Sequence, residues 1–153
     1  MQSESSLPAA RAFWDLRVYE HARALQTEIL KLTKSFPADE KFSLIDQIRR
    51  SSRSVGAQIA ESWGKRDYVK HFQSKLADAQ SENFETQHWL ITAVDSGYIP
   101  SQAAREIFKI SNGVGAMLRS MIEKAAQFCP NENSNKIAEE SVEFFNSPKP
   151  PFT

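Results

Sequence analysis

The residue pattern with the clearest chemical meaning is Glu85-Thr86-Gln87-His88, in which a glutamate precedes a histidine by three positions. Di-iron four-helix bundles use this Glu-x-x-His spacing to aim two ligands inward from one helix. Such a site also requires a second Glu-x-x-His and two further glutamates, but neither His21 nor His71 follows a glutamate at that spacing. The pattern therefore favours a helix-surface pair over a metal site, and no metal or cofactor is expected.

Nucleophilic catalysis has equally little support in the sequence. No serine lies in a Gly-x-Ser-x-Gly elbow. Cys129 is the only cysteine and is followed by Pro130, with no histidine nearby in the chain. Reactive cysteines need an electropositive setting, so an inert, partly buried thiol is favoured. We expect a non-enzymatic protein without a small-molecule substrate.

Positive charge is concentrated in one stretch of the chain. Residues 41–70 contain seven basic and three acidic residues. Within this stretch, Arg49 and Arg53 lie one helical turn apart, which is the clustering that phosphate contacts require. A solvated basic face, with Asp46 paired to the arginines, is the default interpretation. The alternative is an RNA- or DNA-binding site whose candidate residues are Arg49, Arg50, Arg53, Lys65, Arg66 and Lys70.

Composition limits the class of protein further. The 153 residues suit one domain, and 41% of them are hydrophobic, as in ordinary globular proteins. Nineteen basic residues balance nineteen acidic ones, so no overall field favours nucleic acid or membranes. A single cysteine excludes an internal disulfide framework. The short apolar runs and the polar N-terminus predict a cytoplasmic protein without membrane contact.

Apolar residues recur with spacings of three and four in four segments, which predicts four amphipathic helices. In the third segment, for example, the series is Val69, Phe72, Leu76, Ala79, Asn83, Thr86, Leu90 and Ala93. The same alternation runs over residues 18–36, 45–59 and 107–128. No segment alternates with period two, so the fold class is all-α.

The helices should form an up-down-up-down antiparallel bundle, because the predicted connections 35–38, 64–66 and 96–100 are short. Asp39 is the predicted N-cap of the second helix. The expected domain organisation is a flexible arm over residues 1–12 and a bundle over 13–129. A tail over 130–153 would contain a short helical turn and a Pro-rich end.

The fourth predicted helix is apolar over more than one stripe. The regularly spaced apolar residues of each helix form a stripe that we call its seam. Beside the seam of the fourth helix lie Phe108, Met117 and Ile122, and we expect them to contact other subunits in a homo-oligomer. The alternative is that this helix is deeply buried within its own bundle. Gly113 and Gly115 predict close approach of another backbone, with a helix break at Asn112-Gly113 as the alternative.

Several seam positions are polar. Asn83 and Thr86 occupy core positions of the third helix, and Ser52 occupies one of the second. Buried polar groups need partners, so these residues predict a hydrogen-bonded layer that crosses between helices and fixes their register.

Taken together, the motifs resemble the four-helix-bundle proteins encoded in 23S rRNA intervening sequences, over roughly residues 13–128. The resemblance rests on Phe13-Trp14-Asp15-Leu16, Phe36-Pro37 with Glu40, Gln47-Ile48-Arg49-Arg50, Ile59-Ala60-Glu61, Trp89-Leu90 and Gly97-Tyr98-Ile99. The chain departs from the family's Asn-Ile-Ala-Glu-Gly pattern, because Gln58 and Ser62 replace its first and last residues.

The resemblance implies a bundle that assembles as a ring-shaped homopentamer, with no established catalytic activity. The chain is also similar to the accessory proteins of diversity-generating retroelements, which bind nucleic acid and a reverse transcriptase. Those proteins are strongly basic, whereas this chain has no net charge. The expected function is an oligomeric scaffold or accessory protein, with RNA binding as the alternative.

Overall fold

The computed structural model describes residues 10–130 and 151–152, and every regular element within them is helical. Three single-turn 3-10 helices lie at Phe13–Asp15, Ala38–Glu40 and Ala125–Gln127. The long helices are α1 (Arg17–Thr33), α2 (Leu44–Trp63), α3 (Val69–Asp95) and α4 (Ser101–Glu123). The all-α prediction is confirmed, and the arrangement is compatible with a four-helix bundle.

The predicted seams form the core. In α3, the seven seam residues from Phe72 to Ala93 are all buried, and their side chains point to one face because helical neighbours recur every three or four positions. Corresponding stripes of α1, α2 and α4 are buried against them. Each large side chain removed from water here contributes roughly 1.5–3 kcal/mol to the hydrophobic stabilisation.

Each long helix packs against two others: α1 and α3 both contact α2 and α4. Between α2 and α3, Ser51 Oγ lies 2.9 Å from Thr86 Oγ1. Farther along α2, Glu61 accepts a hydrogen bond from Lys75 Nζ at 2.7 Å. Later residues of α2 therefore contact earlier residues of α3.

The start of α2 differs from the prediction. Asp39 lies in the 3-10 helix Ala38–Glu40 and does not cap α2, which begins only at Leu44. The connection between α1 and α2 consequently spans residues 34–43 and is longer than the predicted 35–38. Glu40 supplies the acceptor that the helix start needs, because its Oε2 accepts the Leu44 N–H at 3.0 Å.

The same carboxylate joins two loops at this end of the molecule. Its Oε2 also accepts a hydrogen bond from Ser43 Oγ, and its Oε1 accepts one from Tyr98 Oη at 2.8 Å. Tyr98 follows Gly97, whose φ of +76° favours glycine. The three hydrogen bonds hold the pKa of Glu40 below its ordinary value of 4.5, with the Ser43 hydroxyl as the largest cause.

The predicted polar layer is present between α3 and α4. Asn83 is 0% exposed, donates from Nδ2 to the Ser111 carbonyl at 3.0 Å and accepts the Ser111 hydroxyl at 2.8 Å. Thr86 continues the layer to α2 through Ser51. Ser52 is also buried, but its hydroxyl donates to the Arg49 carbonyl of its own helix. The layer thus crosses helices at Asn83 and Thr86, whereas the hydrogen bond of Ser52 stays within α2.

The two glycines of α4 have different surroundings. A Cβ on Gly115 would lie 3.3 Å from the Gln80 amide and 3.4 Å from Asn83 Nδ2, so side chains of α3, and not its backbone as predicted, approach closely here. A Cβ on Gly113 would meet no atom within 4 Å. The helix continues from Ser101 to Glu123, so the alternative of a break at Asn112-Gly113 is wrong.

The predicted terminal segments lie largely outside the described residues. Within the arm 1–12, residues 10–12 are described, and Ala12 is buried against the core. Within the tail 130–153, the structure describes only Pro130, Pro151 and Phe152. The predicted helical turn of the tail therefore falls outside the described part of the chain.

Candidate functional site

A basic groove of about 580 Å³ runs from the residues just before α2 along that helix as far as Ala57. Four basic side chains and one carboxylate line it together with two larger apolar side chains and two small residues. The lining residues are Lys41, Phe42, Ile45, Asp46, Arg49, Arg50, Arg53, Ser54 and Ala57. We call this surface the α2 groove. Positions 42, 45, 46, 49 and 53 share one side of α2 and its entry because their spacing follows the helical repeat.

Arg49 is fixed in the α2 groove by a contact to α1. Its Nε donates to Thr33 Oγ1 at 2.8 Å, and that buried hydroxyl donates to the Ile29 carbonyl at 2.8 Å. The hydrogen bond engages only one edge of the guanidinium group. The terminal nitrogens remain as further donors in a fixed fork, the geometry that suits phosphate oxygens.

The other two arginines differ in their partners. Arg50 donates to Gln47 Oε1 at 3.1 Å and lies 3.7 Å from Glu85 Oε1 on α3. Arg53 is exposed, and among the described residues its side chain has no hydrogen bond or ion pair. Arg53 is thus the arginine most available to an external anion.

Phe42 is the most exposed large apolar side chain in the described part of the chain, at 86%. Lys41 Nζ lies 5.3 Å from the centre of its ring, within the range of a cation–π contact. Sequence reasoning did not include Lys41 or Phe42 among the candidate residues. Their adjacency to the arginines depends on the path of the connection 34–43, which periodicity does not reveal.

The remaining three predicted basic residues lie outside the α2 groove. Lys65, Arg66 and Lys70 lie beyond the end of α2, whose last residue is ~15 Å along the helix from Arg53. Arg66 stacks over the Trp63 ring at 3.5 Å and donates from Nε to the Trp63 carbonyl at 2.9 Å. Of the six predicted residues, Arg49, Arg50 and Arg53 line the α2 groove, whereas Lys65, Arg66 and Lys70 do not.

Cys129 lies beside Arg66 in a groove of about 370 Å³ that Trp63 and Phe128 also line. Burial raises the pKa of its thiol, and the nearby Arg66 opposes this only in part. A raised pKa keeps the sulfur protonated at neutral pH, which disfavours nucleophilic reactivity.

The Glu-x-x-His pattern has other partners. Glu85 Oε1 accepts a hydrogen bond from Trp89 Nε1 at 3.2 Å and faces Arg50. His88 is exposed, and its ring lies 4.6 Å from that of Trp89. Within residues 10–130 and 151–152, no three potential metal ligands lie together. Glu85 therefore contacts Trp89 on its own helix and Arg50 on α2, instead of His88 as the sequence suggested.

The predicted subunit contacts on α4 are half-buried. Phe108, Met117 and Ile122 all pack against the core of their own chain. Larger exposed apolar groups lie on α3, where Phe84 is 56% and Ile91 51% exposed. Phe84 also borders a groove of about 390 Å³ between α3 and α4.

A family model described as 23S rRNA-intervening sequence protein matches residues 14–120, well over half of the chain. The chain belongs to this family. The family match includes the complete α2 groove.

A solved structure supports the same relationship. It is the crystal structure of a protein with unknown function from the S23 ribosomal protein family of Bacteroides thetaiotaomicron VPI-5482. The two chains are 29% identical with a TM-score of 0.62, and the match covers 69% of this chain and 97% of that one. Among curated proteins, no significant match was found. Neither the family nor the related structure indicates an enzymatic activity.

In the described part of the chain, no helix combines the length and apolarity that crossing a membrane requires.

Proposed function

We propose that this member of the family is a non-enzymatic scaffold protein that works as a homo-oligomer of up-down-up-down bundles. The order of the helices is supported by their paired contacts. Gln73 on α3 bonds to Ile122 on α4, and Asn83 bonds to Ser111, so residue numbers again run in opposite senses. A ring-like homopentamer is the assembly that we propose, following the family resemblance.

The observation that carries this proposal is the apolar surface that one copy leaves uncovered on α3. Phe84 and Ile91 are seven residues apart, which places both on one face of the helix. Full burial of such a side chain contributes roughly 1.5–3 kcal/mol, and since each is already about half buried, covering it in an assembly adds roughly half of that. A second copy would supply that cover, and the exposed parts of Phe108, Met117 and Ile122 would add to the contact.

Gly113 supports the proposal independently. A glycine inside a helix destabilises it by roughly 1 kcal/mol relative to alanine, and nothing within the described chain needs the missing Cβ at this position. Close approach of a neighbouring subunit accounts for the glycine.

The test is the mass of the assembly by light scattering at micromolar concentrations. We expect an oligomer for the native chain and a smaller species for Phe84→Ser/Ile91→Ser, with circular dichroism confirming that the variant stays helical. The matched control is Phe42→Ser, which removes a more exposed aromatic side chain from the connection before α2 and should leave the mass unchanged. A monomeric native chain contradicts the proposal.

A second candidate function is nucleic-acid binding at the α2 groove. Four basic side chains against one carboxylate, with Arg53 unpaired among the described residues, favour a polyanion as ligand. Arg49, Arg50 and Arg53 line one groove, and a basic face that is merely solvated would not need this arrangement. This function can coexist with a scaffold role, because the α2 groove and the apolar face of α3 involve different residues.

Salt dependence tests this second function. Each phosphate contact that Arg49 or Arg53 makes should contribute about 0.7–0.9 to the slope of log affinity against log salt. We expect Arg49→Ala/Arg53→Ala to weaken binding and flatten that slope. Arg105→Ala is the matched control, because it removes an exposed arginine of α4. The same measurement on Lys65→Ala/Lys70→Ala tests whether the predicted basic residues outside the groove contribute to binding. Salt-independent binding contradicts the proposal.

A further inference from the structure

The exposed ring of Phe42 lies in a basic groove, and this combination specifies a kind of nucleic acid. We propose that the α2 groove binds single-stranded nucleic acid, with a base stacked on Phe42 and the backbone phosphates on Arg49 and Arg53. The inference rests on the nucleic-acid function proposed above and names its substrate class.

The exposed ring of Phe42 can stack with a base. Stacking requires an aromatic face open to a flat partner, and the Phe42 side chain is 86% exposed although Lys41 Nζ approaches within 5.3 Å of its centre. Unpaired bases present such faces, whereas bases inside a duplex are stacked on each other. Lys41 adds a cation beside the ring that suits the phosphate next to a stacked base.

The three arginines of the groove differ in how many of their donors are already engaged, and this indicates which of them can bind phosphate. Arg49 is held by Thr33 and keeps its terminal nitrogens for a ligand, while Arg53 has no partner among the described residues. Arg50 is already engaged with Glu85 and Gln47. A strand that passes from Phe42 toward Ala57 would therefore meet Arg49 first and Arg53 one turn later.

The length of the surface sets the size of the ligand. From Leu44 to Ala57 the helix extends ~20 Å, which matches about six nucleotides at the roughly 3.4 Å per nucleotide of a fully stacked strand. The alternative occupant of this surface is another protein or subunit that covers Phe42, and the experiment below distinguishes the two.

The experiment measures binding of eight-nucleotide RNA and DNA strands of one mixed sequence, and of their duplexes, by fluorescence anisotropy at several salt concentrations. We expect the single strands to bind more tightly than the duplexes. Phe42→Leu, which keeps an apolar side chain but removes the aromatic face, should weaken single-strand binding about 5- to 150-fold. Phe42→Tyr should retain it.

Two further readouts separate stacking from charge. Phe42→Leu should leave the salt slope unchanged, whereas Arg53→Ala should lower it by about 0.7, with Arg105→Ala as the control. Salt-dependent binding that is insensitive to Phe42→Leu, or equal for strand and duplex, overturns this inference and leaves the nucleic-acid function standing. The absence of any binding overturns both. A change in assembly mass for Phe42→Leu also overturns it, because Phe42 would then be a subunit contact.

Discussion

The hydrogen-bonded pair of Asn83 and Ser111 is the interior feature whose energy can be tested most directly. Replacing Asn83 by leucine keeps the branched shape and the number of side-chain heavy atoms, so the variant changes polarity more than volume. The change removes the bond to the Ser111 carbonyl and the acceptor of the Ser111 hydroxyl. Gln87 Nε2 still donates to that hydroxyl at 2.7 Å.

The expected loss follows from these contacts. A net hydrogen bond contributes about 1 kcal/mol, and a buried donor left without an acceptor costs about 1–3 kcal/mol. The new apolar contacts of leucine offset part of this. We expect Asn83→Leu to lower the free energy of unfolding by about 1–3 kcal/mol, which lowers the melting temperature by about 2–4 °C for each kcal/mol.

The assay is a double-mutant cycle with Ser111→Ala, measured by urea denaturation. Ser111→Ala removes the hydroxyl that loses its acceptor in Asn83→Leu. The stability loss of the double variant should therefore be about 1 kcal/mol smaller than the sum of the two single losses. Ser62→Ala is the control, because Ser62 is buried but bonds only to the Ile59 carbonyl of its own helix. Additive losses in the Asn83 and Ser111 cycle would refute the claim that these residues form a coupled layer.

Two further predictions concern the loops. Glu40→Gln should reduce the loss of stability on acidification: the lowered pKa of Glu40 stabilises the fold above pH 4.5, and that stability disappears as pH falls through the folded-state value. Thermal unfolding between pH 3 and pH 6 measures the difference. Gly97→Ala should destabilise the chain by about 1–2 kcal/mol, because φ is +76° at this position.

Each loop prediction has a matched comparison. For Glu40→Gln the comparison is the native chain, and identical acid profiles for the two would reject the role of Glu40. Gly64→Ala is the counterpart of Gly97→Ala, since Gly64 has φ of −72°. Equal stability losses at the two glycines would contradict the conformational argument.

The helices and their buried faces were predictable because periodicity reports directly on which side chains share a face. Positions Asn83 and Thr86 were assigned to the core despite their polarity, and both are buried. The start of α2 was not predictable from Asp39, because the acceptor for Leu44 comes from Glu40 and depends on a loop fold that also engages Tyr98.

The candidate site was predictable in part. Arg49 and Arg53 share a groove, as their spacing of one turn indicated. Lys65 and Arg66 do not line that groove because they follow the end of α2 at Trp63, whose ring and carbonyl engage Arg66. Phe42 was missed because its exposure depends on the connection before α2, and composition carries no signal for that path.

The shared carboxylate of Glu40 has a consequence for how this end of the molecule opens. Its bonds tie the segment before Leu44 to Tyr98 in the connection after α3. Local opening of either loop must break bonds that hold the other, so the two should fluctuate as one cooperative unit. In amide hydrogen exchange, the Leu44 N–H would then share its opening free energy with amides of the Tyr98 loop, although the two lie more than fifty positions apart in the chain.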